Sequence, residues 1–214
     1  MEILYFDKLE STQKYLVKLI KEGKTDKEIA IVANEQYGGI GSRNNSWIAN
    51  RGDLTLSFVV KKESLPKDLL MSSASIYFAY FMKEILHEYD NNCWLKWPND
   101  IYIKNKKAGG VVTQILKNTL IVGIGINLTP KDEKYAYFND VKNVKKMLNS
   151  YFMLLKKGKN WQEVLSKYRV EFENNKSLTV HIKGKKTTLK NAKLCDDGAL
   201  LVNDERIYSL RWVK

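Results

Sequence analysis

The chain has 214 residues, of which 44% are hydrophobic and 28% charged, so it can bury the core of one sizeable domain with or without a small appendage. This composition excludes a disordered chain, and three prolines with twelve glycines exclude collagen-like or low-complexity character. The formal charge of +12 is uneven: residues 1–130 carry 17 basic and 14 acidic side chains, and residues 131–214 carry 19 and 10. Because the lysines are scattered singly or in pairs, we interpret this charge as a solubility feature rather than a nucleic-acid surface.

Targeting and redox signals are absent from the sequence. No apolar run reaches the roughly 18 residues of a spanning helix, and the N-terminus has no basic segment followed by a long apolar stretch. Cys93 and Cys195 lie far apart and form no metal-binding or redox spacing. We therefore expect a cytoplasmic protein with reduced thiols and no membrane partner.

The first sixty residues predict strands around one helix and one long loop. Ser11 or Thr12 caps an amphipathic helix that ends at Gly23. Residues 34–53 form a polar, glycine-containing loop, and loops of this length are usually functional or mobile. The strands are expected at residues 3–7, 29–33 and 54–60.

The rest of the chain predicts a mixed region followed by a strand-rich tail. Helices are expected at residues 66–89, 141–157 and 160–174, and strands at 93–97, 101–103, 108–116 and 119–128. Short strands are expected in the tail at 178–182, 187–194, 199–202 and 207–212. These elements predict an α+β fold, with a mixed or antiparallel sheet and helices in residues 1–176 and a small β-barrel in residues 177–214.

The densest chemical signal is the run Lys96-Trp97-Pro98-Asn99-Asp100, in which a lysine ends a strand before a turn. Taken alone, a lysine before a turn is most often a surface residue. A lysine that is fixed at the end of a strand can, however, neutralise a carboxylate or phosphate. Glycines inside strands allow close approach by a ligand, and flexible amides beside a cation suit a phosphate. Such glycines occur in Gly109-Gly110, Gly123-Ile124-Gly125-Ile126-Asn127 and Gly39-Ile40-Gly41-Ser42-Arg43. Together these features predict a nucleotide site, although any one glycine pair could be a bulge.

In order and spacing, these segments resemble the successive motifs of biotin protein ligases. Lys107-Ala108-Gly109-Gly110-Val111 follows the lysine run, and Glu10-Ser11-Thr12-Gln13 resembles the family's Asp/Glu-Ser-Thr-Asn motif. The segment from Gln36 to Arg43, closing at Trp47, resembles the family's Gln-x-x-Gly-Arg-Gly-Arg loop. The tail, including Asp197-Gly198-Ala199-Leu200-Leu201-Val202, resembles the family's SH3-like C-terminal domain, so the resemblance covers nearly the whole chain.

The resemblance implies a ligase that makes biotinyl-5′-adenylate from biotin and ATP with Mg²⁺, then transfers biotin to a lysine of a biotin carboxyl carrier protein. It implies a biotin/lipoate ligase-like catalytic domain at residues 1–176 and an SH3-like domain at 177–214, and it leaves a homodimer open. Only ten residues precede Ser11, so we expect the monofunctional class, with no N-terminal DNA-binding domain and no specific DNA binding.

The resemblance also implies residue roles. Lys96 and Arg43 are the expected catalytic residues, at the reacting carboxylate and at the phosphate. Ser11, Thr12 and Gln36 would face the ureido ring of biotin. The remaining expected substrate-binding residues are Gln13, Gly39, Ile40, Gly41, Ser42, Trp47, Gly109, Gly110, Gly123, Gly125 and Asn127. Asn127 is in addition the candidate Mg²⁺ ligand.

The glycine-rich loop departs from the family pattern. Ile40 and Ser42 stand where the family has arginine, and Asn44 and Asn45 replace a further Gly-Arg. We therefore expect phosphate binding, and retention of the adenylate, to be weaker unless Arg51 or lysines elsewhere assist.

Three alternatives remain at this level. A lipoate or octanoyl ligase shares the fold, although the Lys-Trp-Pro-Asn-Asp run and the β tail favour biotin. A non-catalytic biotin-binding protein would not need Lys96. A basic nucleic-acid-binding domain would need an aromatic-rich basic motif, which the chain lacks.

Overall fold

The computed structural model describes residues 1–25, 27–41, 45–182 and 185–208. A seven-stranded mixed sheet organises the molecule. Its strands are β1 (Glu2–Leu9), β2 (Ile29–Gln36), β5 (Leu54–Lys61), β6 (Cys93–Lys96), β7 (Asp100–Ile103), β8 (Lys106–Leu116) and β9 (Thr119–Ile126). Their spatial order is β1-β2-β5-β9-β8-β7-β6. The β1–β2 pair is parallel and the other pairs are antiparallel, so the predicted α+β fold is confirmed.

Helices cover both faces of this sheet, because alternate residues of each strand point to opposite faces. On β5, Val59 packs in a small cluster under one helix, while Phe58 belongs to the large core on the other face. The helices are α1 (Thr12–Lys21) on the first face, and α2 (Ala74–Leu86), α3 (Val144–Lys156) and α4 (Trp161–Phe172) on the second. None of the helices in the described ranges is long and apolar enough to cross a membrane.

Two predicted elements differ in extent. The helix expected at residues 66–89 is limited to α2 and a preceding 3₁₀ turn, Met71–Ser73, and the Ser73 hydroxyl at the start of α2 donates to the carbonyl of Asp197 in the tail. The loop expected at residues 34–53 begins later, since β2 continues to Gln36. It also contains a small antiparallel hairpin of β3 (Gly39–Ile40) and β4 (Ser46–Trp47).

The tail consists of short antiparallel strands, consistent with an SH3-like domain. They are β10 (Thr179–Ile182), β11 (Lys185–Thr188), β12 (Lys193–Leu194), β13 (Leu200–Val202) and β14 (Glu205–Ile207). In the described ranges they form a two-stranded and a three-stranded sheet rather than one closed barrel. The strand predicted at 187–194 is split by a turn in which the Ala192 amide donates to Leu189. Most of the strand predicted at 207–212 lies outside the described residues.

One turn of the tail joins it to the sheet and helices. The carbonyls of the consecutive residues 196, 197 and 198 accept hydrogen bonds from the Trp161 indole (2.6 Å), the Ser73 hydroxyl and the Trp97 indole (2.9 Å). Leu189 and Leu200 of the tail are buried in the same hydrophobic core as α2. The tail is therefore packed directly behind the strand end that carries Lys96.

Candidate active site

A cleft opens on the α1 face of the sheet, where the start of α1 and the β3–β4 hairpin meet β5, β8 and β9. It brings together most of the predicted substrate-binding residues that the structure describes. Its lining residues are Ser11, Thr12, Gln13, Gln36, Ile40, Gly41, Trp47, Leu56, Ser57, Asn99, Asp100, Lys107, Gly110, Val111, Val112, Gly123, Ile124 and Gly125.

One wall of the cleft is a buried hydroxyl–amide network. The side-chain oxygen of Gln36 accepts from the Thr12 amide (2.6 Å) and the Thr12 hydroxyl (3.0 Å), and that hydroxyl lies 2.8 Å from the Ser57 hydroxyl. Ser11 is the N-cap of α1, because its hydroxyl accepts from the Lys14 amide. The helix start therefore fixes the polar groups that face the cleft.

Glycines form the opposite wall. Gly110 and Gly125 are directly paired across β8 and β9. A Cβ on Gly125 would come closer than 3.0 Å to the Trp47 indole, and one on Gly123 would collide with the Gln13 side chain. Gly109 instead points away from the cleft, where Ile126 closes over it. Three of the four predicted glycines thus give a wall without side chains, and the fourth allows close strand packing.

Two buried polar atoms in this cleft have no hydrogen-bond partner among the described residues, the Gln13 side-chain oxygen and the Trp47 indole nitrogen. Gln13 is only 6% exposed, and its amide nitrogen reaches Gln114 at 3.4 Å. Buried polar groups are nearly always satisfied, so a free acceptor and a free donor in one cleft indicate a polar ligand. The cleft encloses about 40 Å³, room for a few water molecules, so a larger ligand requires the Trp47 segment to move.

Charged groups lie at the end of the cleft near β6 and β7. The Lys107 amine is 2.6 Å from an Asp100 carboxylate oxygen. Lys96 lies opposite Asp100 in the backbone register of the antiparallel β6–β7 pair. The Lys96 amine donates to the Tyr102 hydroxyl at 3.0 Å and lies outside the cleft lining. The structure therefore places Lys96 beside the cleft rather than in its wall.

The strand end that carries Lys96 is held from its outer edge by side chains. The fully buried Asn175 accepts from the Trp97 amide (2.8 Å) and donates to the Leu95 carbonyl (3.2 Å). The Leu95 amide donates to Glu171, which is paired with the buried Lys83 (2.6 Å). These side chains occupy the hydrogen-bonding positions that a further strand would take.

The loop residues are placed only in part. Gly39 pairs with Trp47 in the hairpin, and the Gly41 amide donates to the Asn45 carbonyl at 2.7 Å, so this amide is engaged within the turn. Ser42 and Arg43, predicted to bind substrate and phosphate, lie outside the described residues.

The far end of the loop is anchored by the buried Asp53. Its carboxylate accepts from the Leu128 amide (2.9 Å), the Thr129 amide (3.0 Å) and the Thr129 hydroxyl (2.8 Å), and it pairs with Lys131 (2.5 Å). The loop is thereby fixed to the chain that follows β9.

Asn127 lies just beyond β9 and is 3% exposed. Its amide nitrogen donates to the Ala136 carbonyl at 2.9 Å, so its side-chain oxygen is the atom that could contact a cation. No three His, Cys, Asp or Glu side chains converge to hold a metal ion in the part of the chain that the structure describes. The described residues therefore form no protein cage for Mg²⁺, and Asn127 as a ligand stays a prediction.

Sequence reasoning missed Ser57 and Lys107 as site residues. Ser57 faces Gly123 across β5 and β9, and its signal was a second hydroxyl two residues after Thr55 in an otherwise apolar strand. Lys107 stands directly before the glycine pair of β8, within a segment already recognised for its glycines.

A model of the biotin/lipoate A/B protein ligase family matches residues 5–130, more than half of the chain. The chain belongs to this family. The matched region includes α1, the hairpin and all the cleft-lining strands. The family's region thus coincides with the site.

Individual relatives agree with this assignment. The bifunctional ligase/repressor BirA of Escherichia coli is 29% identical over 138 residues, which are 61% of this chain but only 42% of that protein. The biotin acetyl coenzyme A carboxylase synthetase of Helicobacter pylori, solved with bound biotinylated ATP, is 35% identical, with a TM-score of 0.90 over 96% of this chain and 98% of that one. The biotin protein ligase of Aquifex aeolicus, solved with biotin and ATP, shares the fold, with a TM-score of 0.77, 24% identity and coverage of 97% and 96%.

Proposed function

We propose that this protein is a biotin protein ligase, which activates biotin with ATP to biotinyl-5′-adenylate and transfers biotin to a lysine of a biotin carboxyl carrier protein. The observation that supports this most is the cleft itself, where a buried acceptor and a buried donor with no partner in the described part of the chain lie at a glycine wall beside two lysines. Similarity to the Helicobacter pylori enzyme over almost the whole chain adds support.

The cleft suits biotin chemically. The ureido ring has two N–H donors, and one of them matches the Gln13 side-chain oxygen, which has no hydrogen-bond partner among the described residues. The Thr12–Ser57 hydroxyl pair offers further hydrogen-bonding capacity at the same wall. No side chain projects from Gly123 or Gly125, and the Trp47 indole that lies against Gly125 would shift to admit the bicyclic ring.

The first chemical step joins two anions. A biotin carboxylate oxygen attacks the α-phosphorus of ATP, a new O–P bond forms, and pyrophosphate leaves with the electrons of the broken P–O bond. Lys96, at the end of β6, would offset the charge repulsion between carboxylate and phosphate. Its hydrogen bond to Tyr102 holds the amine on the same sheet face as Asp100 until substrates arrive.

The second step transfers the acyl group. The neutral amine of the carrier lysine attacks the carbonyl carbon of the mixed anhydride and an amide bond forms. AMP leaves with the electrons of the broken C–O bond, and the nitrogen releases one proton to solvent. Water would destroy the anhydride, so the hairpin that carries Trp47 would cover the adenylate between the two steps. Asp53 anchors one end of that loop and so limits its movement to the hairpin side.

The partner and the location follow from this activity. The acceptor would be a carboxylase carrier domain, the compartment the cytoplasm, and Mg²⁺ would arrive with ATP, held chiefly by phosphate oxygens and water as is usual for nucleotides. A homodimer is compatible with the proposal and is not required by it.

The test is biotin-dependent exchange of pyrophosphate into ATP, followed by streptavidin detection of a carrier fragment. We expect pyrophosphate exchange and carrier labelling with biotin and neither with lipoate, which separates this activity from that of a lipoate ligase.

Lys96→Ala should lower exchange about 10²–10³-fold and leave biotin binding nearly unchanged, since the interaction of Lys96 with the substrates is made mainly in the transition state. Lys106→Ala, on an exposed lysine of β8, is the control. Near-normal exchange by Lys96→Ala would remove Lys96 from the mechanism.

A further inference from the structure

Tyr102 holds the end of a lysine side chain in the structure, through its hydroxyl and through its ring. The Lys96 amine donates to the Tyr102 hydroxyl at 3.0 Å and lies 4.7 Å from the centre of the Tyr102 ring. The ring face attracts a cation, and the phenolic oxygen accepts an N–H. The two contacts together make Tyr102 a binding place for a lysine amine.

This place lies beside the cleft and can be reached from solvent. Asp100, which lines the cleft, and Tyr102 are two positions apart on β7, so their side chains point to the same face of the sheet. Trp94 lies opposite Tyr102 in the β6–β7 register, and the centres of their rings are 5.4 Å apart. The helix on this face, α1, packs over β2, β5 and β9, and both rings are only half-buried. They form an aromatic surface that adjoins the cleft.

The proposed first step would empty this place. The Lys96 amine lies outside the cleft lining, so it must leave the Tyr102 hydroxyl to reach the carboxylate and the phosphate. Lys107, opposite Tyr102 in β8, is held by the Asp100 carboxylate at 2.6 Å. The hydroxyl and the ring face of Tyr102 are therefore vacated while the adenylate waits for its acceptor, which is itself a lysine.

We propose that Tyr102, flanked by Trp94, is the subsite for the acceptor lysine of the carrier protein. This inference rests on the proposed ligase function and adds the place where its second substrate enters. The ammonium would arrive over the Tyr102 ring, lose one proton to solvent and donate a remaining N–H to the Tyr102 hydroxyl. Its lone pair would then face the carbonyl carbon of the adenylate. The C–N bond forms, AMP leaves with the electrons of the broken C–O bond, and the nitrogen releases its second proton to solvent.

A single-turnover experiment measures the transfer step by itself. The enzyme is loaded with chemically prepared biotinyl-5′-adenylate and then mixed with a carrier fragment or with hydroxylamine. Hydroxylamine attacks the same carbonyl but has no side chain for a subsite to hold. Tyr102→Phe keeps the ring and removes the hydroxyl, so it should slow carrier labelling roughly 3- to 10-fold, as expected for one lost hydrogen bond. The hydroxylamine reaction should stay within about twofold of wild type.

Two further variants sharpen the result. Tyr102→Leu also removes the ring face, so it should slow carrier labelling by about a further two- to fivefold. Tyr5→Phe is the matched control, because Tyr5 lies on β1 at the opposite edge of the sheet and has the Lys145 amine 5.0 Å from its ring centre. It should match wild type with both nucleophiles, and thermal unfolding of each variant confirms that it is folded.

Two outcomes would overturn the inference while leaving the ligase activity in place. Wild-type carrier labelling by Tyr102→Phe and Tyr102→Leu would mean that the acceptor lysine enters elsewhere. An equal slowing with hydroxylamine would mean that Tyr102 acts on the adenylate or through Lys96 rather than by binding the acceptor. A wild-type protein without biotin-dependent pyrophosphate exchange would instead refute the proposed function.

Discussion

Replacing Asn175 with leucine should loosen the strand end that carries Lys96. Asn175 is fully buried, and its amide accepts from the Trp97 N–H and donates to the Leu95 carbonyl, one on each side of Lys96. Leucine has a similar size but no polar atoms. The substitution therefore removes two hydrogen bonds and creates little cavity.

The expected magnitude follows from the groups left behind. The Trp97 N–H and the Leu95 carbonyl point to the outer edge of the sheet, where water does not replace Asn175. A buried polar group left without its partner costs about 1–3 kcal/mol, so two of them should lower the free energy of unfolding by about 2–6 kcal/mol. Loss at the upper end would leave a domain of ordinary stability barely folded.

Guanidinium unfolding followed by tryptophan fluorescence measures this loss. Asn174→Leu, at the exposed neighbouring position, is the matched control and should stay within about 0.5 kcal/mol of wild type. Asn175→Asp keeps an acceptor for the Trp97 N–H but turns a carboxylate oxygen toward the Leu95 carbonyl, so it should also destabilise. If Asn175→Leu unfolds like Asn174→Leu, the side-chain amide does not hold the strand and the reasoning fails.

Three further predictions concern the pocket wall, the thiols and the tail. Gly125→Ala should weaken biotin binding about tenfold or more by calorimetry, because its methyl group would occupy the space at the glycine wall that the bicyclic ring needs after the Trp47 indole has shifted. Unchanged affinity would show that the ring does not lie against Gly125. A thiol reagent should modify the partly exposed Cys195 in the folded protein and Cys93 only after unfolding. Burial raises the pKa of the Cys93 thiol well above its usual range, so little reactive thiolate forms there. Two rapidly reacting thiols in the folded protein would contradict this. Truncation after Lys176 should lower the melting temperature and impair biotin binding as well as transfer, because it removes the 196–198 turn and leaves the donors of three buried residues without acceptors. A stable fragment with normal binding would separate the tail from the site.

Local sequence determined many of the elements and much of the site. A helix cap at Ser11 or Thr12 and a hairpin of residues 108–116 and 119–128 follow from patterns that span a few residues, and the structure has the cap at Ser11 and the hairpin. The glycines at 109, 110, 123 and 125 were predicted to bind substrate, and all of them except Gly109 line the cleft. Short-range steric and hydrogen-bonding preferences suffice for such features.

Tertiary structure decided the rest, because the partners are far apart in the chain. Ser57 meets Thr12 across 45 positions, and no periodicity within either segment encodes that contact. Asn175 closes the edge of a strand almost eighty residues earlier in the chain. The helix predicted from residue 66 begins at Ala74, and the hydroxyl of the preceding Ser73 binds the tail. The packing of the sheet and helices decides which polar groups form hydrogen bonds with each other. That packing minimises the number of buried unpaired polar groups over the whole chain rather than within any short segment of it.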